Sequence, residues 1–238
     1  MGSCASTNPA IEQVVVKQGG YETLQRPDMA DEQKQATPLL YFKKRGRGSQ
    51  CRLASELLGF PTVDQFVTCE ELATGTPENP LTPYGSVPCL ILPGMRLGQG
   101  CAVLQYMAEA TGKLHPTPEG RARELSLAMS AEDLRIGYFK FFGTDEAFKK
   151  KFVDTTFPRW FGNWERILSE VDGDWFSGRD EPGYSDAAVW DSVQACQVWV
   201  KGTNEALAPF AGLLAWLARF EAFPAVAAFL ASERYLKG

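Results

Sequence analysis

The hydrophobic pattern of the chain changes once, near Gly112, and this change constrains the fold more than any other feature. Before that point, short apolar runs alternate with segments of helical periodicity, in the order β-α-β and then β-β-α. After it, the apolar residues recur at helical spacing. This order predicts a compact α/β layer followed by an all-helical region.

The alternating half predicts a small sheet with few helices. Its expected elements, in chain order, are a strand at 39–42, a helix around 53–58, a strand at 62–68, strands at 88–92 and 95–97, and a helix around 102–110. Pro93-Gly94 lies between the last two strands and predicts a hairpin turn. The segment 70–84 is polar and rich in proline, so at most a short, irregular helix is expected there.

The second half is expected to be helical throughout. Apolar spacing marks helices around 127–138, 157–168 and 189–200, and a last helix after Pro224. A linker is expected around 113–119, which contains two prolines, and the polar segment 1–36 predicts a disordered tail. The chain thus divides into a tail at 1–36, an α/β domain at 37–113 and an all-helical domain at 117–238.

Composition excludes several classes of function. Lys+Arg 24 against Asp+Glu 29 gives a formal charge of -5 without a basic stripe, so nucleic acid is not an expected partner. The chain has a single histidine, His115, which excludes metal sites built from several histidines, and no metal cofactor is expected. The six cysteines form no C-x-x-C pair, which is typical of reduced thiols in a cytosolic protein. Each of them except Cys4 is expected to be a small buried hydrophobe.

The N-terminus matches a lipidation motif. No apolar run approaches the length of a membrane-spanning helix, and no secretory signal is present. Met1-Gly2-Ser3-Cys4-Ala5-Ser6 fits the pattern for myristoylation of Gly2, with Cys4 beside it for a second acyl chain. The alternative is an unmodified tail. We therefore expect a cytoplasmic protein that is membrane-associated where these two residues are acylated.

Short motifs spread along the chain resemble one enzyme family. They are Leu40-Tyr41-Phe42-Lys43-Lys44-Arg45-Gly46-Arg47-Gly48, Tyr84-Gly85-Ser86-Val87-Pro88, Leu97-Gly98-Gln99-Gly100-Cys101-Ala102-Val103, Tyr184-Ser185-Asp186-Ala187-Ala188 and Phe223-Pro224. In this order they are similar to segments of the sigma-type, Tyr-type cytosolic glutathione transferases. The resemblance covers about residues 38–235. It implies a thioredoxin-like domain with a mixed four-stranded sheet, an all-α C-terminal domain, and a homodimer.

The resemblance also implies a reaction, the attack of the glutathione thiolate on a small electrophile, as in detoxification. Glutathione is then the co-substrate, with a hydrophobic electrophile as its partner. Tyr41 would donate a hydrogen bond to the sulfur, and Arg47 would assist through its positive charge. From periodicity alone, Tyr41 is equally consistent with a core tyrosine on a buried strand, and Arg47 with a solvated loop charge.

Further site residues follow from the resemblance. Val87, before a cis Pro88, would pair its backbone with the peptide, and Gln99 with the amide of Gly100 would hold the γ-glutamyl carboxylate at a helix N-terminus. Gly100 stands where the family has serine, and Ser86 where lysine is common, so weaker glutathione affinity is expected.

The helical half is expected to complete the site. Asp133 would reach across a dimer interface to the γ-glutamyl amine, or else be an exposed helix carboxylate. Four aromatic residues would line the electrophile cleft or lie in the core: Tyr138, Phe139, Phe141 and Phe142. Gly183 stands where the family's helix cap has Ser or Thr, and Asp186 is retained.

Three alternatives stay open at this point. The same fold could serve as a non-catalytic binding module, or it could catalyse a glutathione-dependent isomerisation. A thiol oxidoreductase that uses a cysteine is the third alternative. The sequence argues against it, because the first loop has no cysteine and Cys51 falls inside a helix.

Overall fold

The computed structural model describes residues 36–75, 81–141 and 145–236. Within them, four strands form one mixed sheet: β1 (Thr37–Tyr41), β2 (Thr62–Phe66), β3 (Cys89–Leu92) and β4 (Met95–Gly98). The strand order is β2-β1-β3-β4, with β1 parallel to β2 and antiparallel to β3, and β3 antiparallel to β4. This sheet confirms the fold class expected for the first half of the chain.

Helices account for the rest of the fold. Those of the first half are α1 (Arg47–Leu58), α2 (Cys69–Ala73) and α3 (Gly100–Ala110). Those of the second half are α4 (Pro118–Phe141), α5 (Glu146–Lys151), a π-helical turn (Phe152–Thr156), α6 (Phe157–Glu170), α7 (Tyr184–Trp199), α8 (Thr203–Leu207), α9 (Ala211–Ala222) and α10 (Pro224–Ala231). The described part of the second half is therefore helical, as expected.

Several element boundaries differ from expectation. Helix α1 begins at Arg47, inside the segment that was expected to be a loop. The sequence did not predict this start because the first turn of the helix is polar and carries no apolar periodicity. Strand β2 ends at Phe66 rather than at Thr68. Helix α4 begins at Pro118 and shortens the expected linker, since proline is well suited to the first position of a helix.

The core is continuous across the two halves. Helix α1 packs against α3 and α7, and α4 packs against α7. Many of the largest apolar side chains of the core are aromatic and come from α6, α7 and α9: Phe157, Phe161, Trp164, Trp190, Trp216 and Phe220. Near the C-terminus, Arg234 Nε donates to Asp64 Oδ2 on β2 at 3.1 Å, which ties the segment after α10 to the sheet.

Among the described residues, no single helix has both the length and the apolar character needed to cross a membrane. Helices α9 and α10 reach that length only together, and the chain bends by 73° between them. Trp216 and Phe220 of α9 and Phe229 of α10 are buried in the core.

Candidate functional site

Tyr41 is the last residue of β1, and its side chain lies under the first turn of α1. The residue is 7% exposed. The backbone amides of Arg47 and Gly48 lie near its phenolic oxygen and lower its pKa. These are among the first amides of the helix, which have no partner within the helix.

Two glycines allow the ring to approach the loop so closely. A Cβ on Gly46 would lie 2.6 Å from the Tyr41 Oη, and a Cβ on Gly48 would overlap the edge of the ring. Gly46 also has a φ of 74°, in the region that favours glycine. The Arg-Gly-Arg-Gly segment is thus shaped around the tyrosine.

The hydroxyl of Tyr41 stays protonated at neutral pH. Burial raises its pKa above the ordinary value, and this effect outweighs the opposing effects of the Arg47 and Gly48 backbone amides and of the positive charges on Arg135 and Arg47. A protonated phenol can donate its hydrogen to a ligand.

Arg47 is paired and stacked at the same place. Its Nε donates to Glu132 Oε1 on α4 at 2.5 Å, and its guanidinium lies over the Phe139 ring, 5.1 Å from the centroid. The side chain is 35% exposed. Arg47 is therefore not a fully solvated loop charge, which was one of the two expectations for this residue.

Behind Arg47 lies a buried charge network that the sequence did not indicate. Arg135 on α4 lies 3.2 Å from Glu132 Oε2 and donates to Asp191 Oδ2 on α7 at 2.8 Å. Arg45 lies 3.8 Å from the other oxygen of Asp191. Arg135 and Asp191 are almost fully buried, and the network connects the β1–α1 loop with two helices of the second half.

The segment before β3 has the geometry that the resemblance implied. The peptide bond between Val87 and Pro88 is cis. Val87 is half-buried and Pro88 is buried, whereas Ser86 is exposed. A Cβ on Gly100, the first residue of α3, would lie 3.8 Å from Pro88 Cγ, so this segment and the start of α3 are neighbours.

Gln99 and Gly100 open helix α3. Gln99 is exposed and has a φ of 71°, the only non-glycine residue in the described part of the chain with a positive φ. Such a conformation is sparsely populated for residues with a Cβ and is concentrated at functional sites. Gly100 is buried, and the helix N-terminus favours a negative charge.

The residues expected from α4 fall in different environments. Asp133 is exposed, Phe139 is 38% exposed beneath Arg47, and Tyr138 is 1% exposed in the core. Phe142 lies outside the described residues, and so do Gly2 and Cys4. Within the part described, the structure gathers Tyr41, Arg47 and Phe139 in one place.

Burial disfavours the reactive thiolate form of several cysteines. It raises the pKa of Cys51 far above its ordinary value, that of Cys101 to about 11 and that of Cys196 to about 12. Cys51, Cys89 and Cys196 are buried, as expected, whereas Cys101 is only half-buried. The expectation of a buried residue is wrong for Cys69, which is exposed at the start of α2 because that short helix buries none of its residues.

The N-terminus of helix α7 is capped by Asp186, although Gly183 has no side-chain hydroxyl to contribute to the cap. The Asp186 carboxylate accepts from the N–H groups of Gly183 at 2.9 Å, Phe176 at 2.8 Å and Ser177 at 3.1 Å. A Cβ on Gly183 would overlap the Glu124 carboxylate, which accounts for the glycine.

Comparisons with known proteins agree with this geometry. Residues 132–233 match the family model described as glutathione S-transferase, C-terminal domain. Glutathione S-transferase 4 of Caenorhabditis elegans is 30% identical over 113 residues, which cover 45% of this chain and 53% of that protein. The match thus spans about half the length of that relative.

Two further matches cover most of the chain. Hematopoietic prostaglandin D synthase of Gallus gallus is 27% identical over 195 residues, which cover 81% of this chain and 94% of that protein. The glutathione S-transferase from Ascaris lumbricoides superposes with a TM-score of 0.71 at 20% identity, over 83% of this chain and 97% of that one. Residues 132–233 thus match the C-terminal domain of glutathione S-transferases, and most of the chain is similar to glutathione S-transferases and a prostaglandin D synthase in sequence or in fold.

Proposed function

We propose that the protein is a sigma-type glutathione transferase in which the Tyr41 hydroxyl holds the thiol of glutathione as its thiolate. The observation that carries this proposal is the position of that hydroxyl. It lies against the first turn of α1, and burial keeps the hydroxyl protonated, so that it can donate its hydrogen.

The chemistry requires such a donor. A free thiol has a pKa near ~8.5, so little thiolate is present at neutral pH. A hydrogen bond from Tyr41 to the sulfur stabilises the anion more than the thiol and lowers the pKa of the bound thiol. The thiolate then attacks an electrophilic carbon. The S–C bond forms, and the leaving group departs with the electron pair of its bond to carbon.

The remainder of glutathione would extend from Tyr41 toward α3. The backbone of Val87 would pair with the peptide, and the N-terminus of α3, at Gln99 and Gly100, would hold the γ-glutamyl carboxylate. Phe139, exposed beneath Arg47, offers an apolar surface for the electrophile. Asp133 of a second subunit would reach the γ-glutamyl amine.

A second candidate is a glutathione-dependent isomerisation, which is favoured by the similarity to avian hematopoietic prostaglandin D synthase. It would use the same thiolate. A non-catalytic binding module or a cysteine-based oxidoreductase would not require one at this site.

The test is a titration of the purified protein with glutathione, followed by the ultraviolet absorbance of the thiolate at neutral pH. A rise is expected, and Tyr41→Phe should abolish most of it. Turnover of chlorodinitrobenzene should fall about 10- to 100-fold in the same variant, because one hydrogen bond to a charged sulfur is lost.

Tyr106→Phe is the matched control. Tyr106 is a half-buried tyrosine on α3 whose ring contacts Phe60, and its loss of a hydroxyl should leave both signals unchanged. Unchanged turnover in Tyr41→Phe would eliminate Tyr41 as the activating residue.

A further inference from the structure

A buried amide lies against the start of helix α3. Gln50, on α1, is 1% exposed, and its Nε2 has no hydrogen-bond partner among the described residues. That nitrogen is 2.7 Å from the point that a Cβ on Gly100 would occupy, and Pro88 Cγ is 3.8 Å from the same point. The amide therefore lies beside the N-terminus of α3, at the place that Pro88 also approaches.

A buried donor without a partner is rare, because it has lost its hydrogen bonds to water and gained none in return. Here the neighbouring groups indicate what would satisfy it. The first amides of α3 also point out of the helix and favour an anion. A carboxylate placed there would accept from both the helix amides and Gln50 Nε2.

We propose that Gln50 Nε2 donates a hydrogen bond to the γ-glutamyl carboxylate of bound glutathione. The inference rests on the proposed function. It assigns to Gln50 the part that the resemblance gives to a serine hydroxyl at position 100, which this chain lacks.

The same geometry explains why position 100 is glycine. A serine there would bring its Cβ to 2.7 Å from the Gln50 amide, closer than such contacts allow, so the amide would have to move. The two donors thus exclude each other. A chain that uses Gln50 needs Gly100, and the absent serine does not imply weaker binding of glutathione.

The test replaces Gln50 by methionine, which keeps the length of the side chain and removes the donor. Binding is measured by calorimetry with two probes, glutathione and 4-aminobutanoyl-cysteinyl-glycine, which lacks only the γ-glutamyl carboxylate. The Kd for glutathione should rise about 10- to 100-fold, the loss expected for a hydrogen bond to a charged group. The Kd for the analogue should stay the same.

Gln197→Met, the same exchange at a half-buried position on α7, should change neither Kd. Gly100→Ser alone should not improve the binding of glutathione, because its Cβ displaces the amide. The double variant Gln50→Ala/Gly100→Ser restores one donor and should recover most of the affinity. Should Gln50→Met not fold, Gly100→Ala displaces the same amide and should give the same loss, selective for glutathione.

Other outcomes would overturn the inference. Equal losses for both probes would make Gln50 a structural residue, and an unchanged Kd for glutathione would remove it from the site. In both cases the unaltered protein still binds glutathione and forms the thiolate, so the proposed function stands. If the unaltered protein binds neither probe, both the proposed function and the inference fail.

Discussion

Glu132 on α4 holds Arg47 on α1: the two side chains meet at 2.5 Å, although 85 residues separate them. The other oxygen of the same carboxylate lies 3.2 Å from the Nε of the buried Arg135. One acidic residue of the helical half thus positions an arginine next to Tyr41 and pairs with a second, buried arginine.

Removing this charge should destabilise the protein. Glu132→Gln removes an ionic partner from the half-buried Arg47 and one of the two ionic partners of the buried Arg135. The free energy of unfolding should therefore fall by about 1–3 kcal/mol. Urea denaturation provides the measurement. Glu146→Gln is the control, because Glu146 is 88% exposed in its pair with Lys149 and should leave the midpoint unchanged. Equal midpoints for the two variants would contradict a structural role of Glu132.

The exposed face of α4 predicts a dimer. Asp133 lies on it between two exposed apolar residues, Met129 at 56% and Ile136 at 41%. Positions 129, 133 and 136 share one side of a helix. Sedimentation at micromolar concentration should give about twice the chain mass of 26.3 kDa. Ile136→Lys should shift the protein toward monomer, and Leu214→Lys, an equally exposed position on α9, should not.

If Asp133 contacts glutathione across that interface, Asp133→Ala should raise the KM for glutathione while the dimer persists. A monomeric unaltered protein would leave Asp133 without this role.

The N-terminal motif predicts membrane association through acylation. A single myristoyl chain gives only reversible binding, so Gly2 needs the second chain on Cys4. The protein should fractionate with membranes when both are present, become largely soluble as Gly2→Ala, and be intermediate as Cys4→Ser. Intact-mass measurement on protein from its native host decides the matter, since an unmodified or merely acetylated N-terminus would contradict it.

Features encoded within one short segment were predictable from the sequence. The first strand, the hairpin at Pro93-Gly94 and the helix following Pro224 are each marked by neighbouring residues, and all three are present. The first strand was expected at 39–42 and is observed at Thr37–Tyr41. The cis peptide before Pro88 followed from the resemblance of its motif.

Features that depend on side chains meeting from distant segments were not predictable. Glu132, Arg135 and Asp191 read as ordinary helix charges, and only the packing of α4 and α7 brings them together. Gln50 carries no signal either, because a polar residue in the first turns of a helix is normally exposed. Its burial results from the contact of α1 with the start of α3.

The close approach of Gly46 to the Tyr41 hydroxyl predicts a selective loss of activity. Gly46→Ala should cost stability because the φ of 74° disfavours a Cβ, and that Cβ would lie 2.6 Å from Oη and displace the hydroxyl. Gly59→Ala is the matched control: its φ is 68°, and a Cβ there would contact nothing within 4 Å.

Both variants should lower the midpoint of thermal unfolding, and Gly46→Ala should lower it at least as much as Gly59→Ala, because only its Cβ meets another group. Only Gly46→Ala should also reduce thiolate formation with bound glutathione, as followed by absorbance. Full thiolate formation in Gly46→Ala would show that the fit between this glycine and the tyrosine has no part in activation.

Glu124 on α4 predicts a dependence of stability on pH. Burial raises the pKa of its carboxyl to about 7; Arg179 opposes this shift, and the nearby Asp186 adds to it. Tyr184 and His115 also lie beside the group. Between its ordinary pKa near ~4.3 and about 7, the folded protein binds more protons at this site than the unfolded chain. This contribution to stability is therefore complete at low pH and is lost as the pH rises toward 7.

Urea denaturation at pH 5, 6 and 7 measures the effect. The contribution of Glu124 to the free energy of unfolding should decline across this range by an amount on the order of 2–3 kcal/mol. Glu124→Gln, which cannot ionise, should remove that part of the slope. Glu119→Gln, at an exposed position in the first turn of the same helix, should retain it. Identical slopes for Glu124→Gln and the unaltered protein would mean that the carboxyl of Glu124 ionises in the folded state as readily as it does in the unfolded chain.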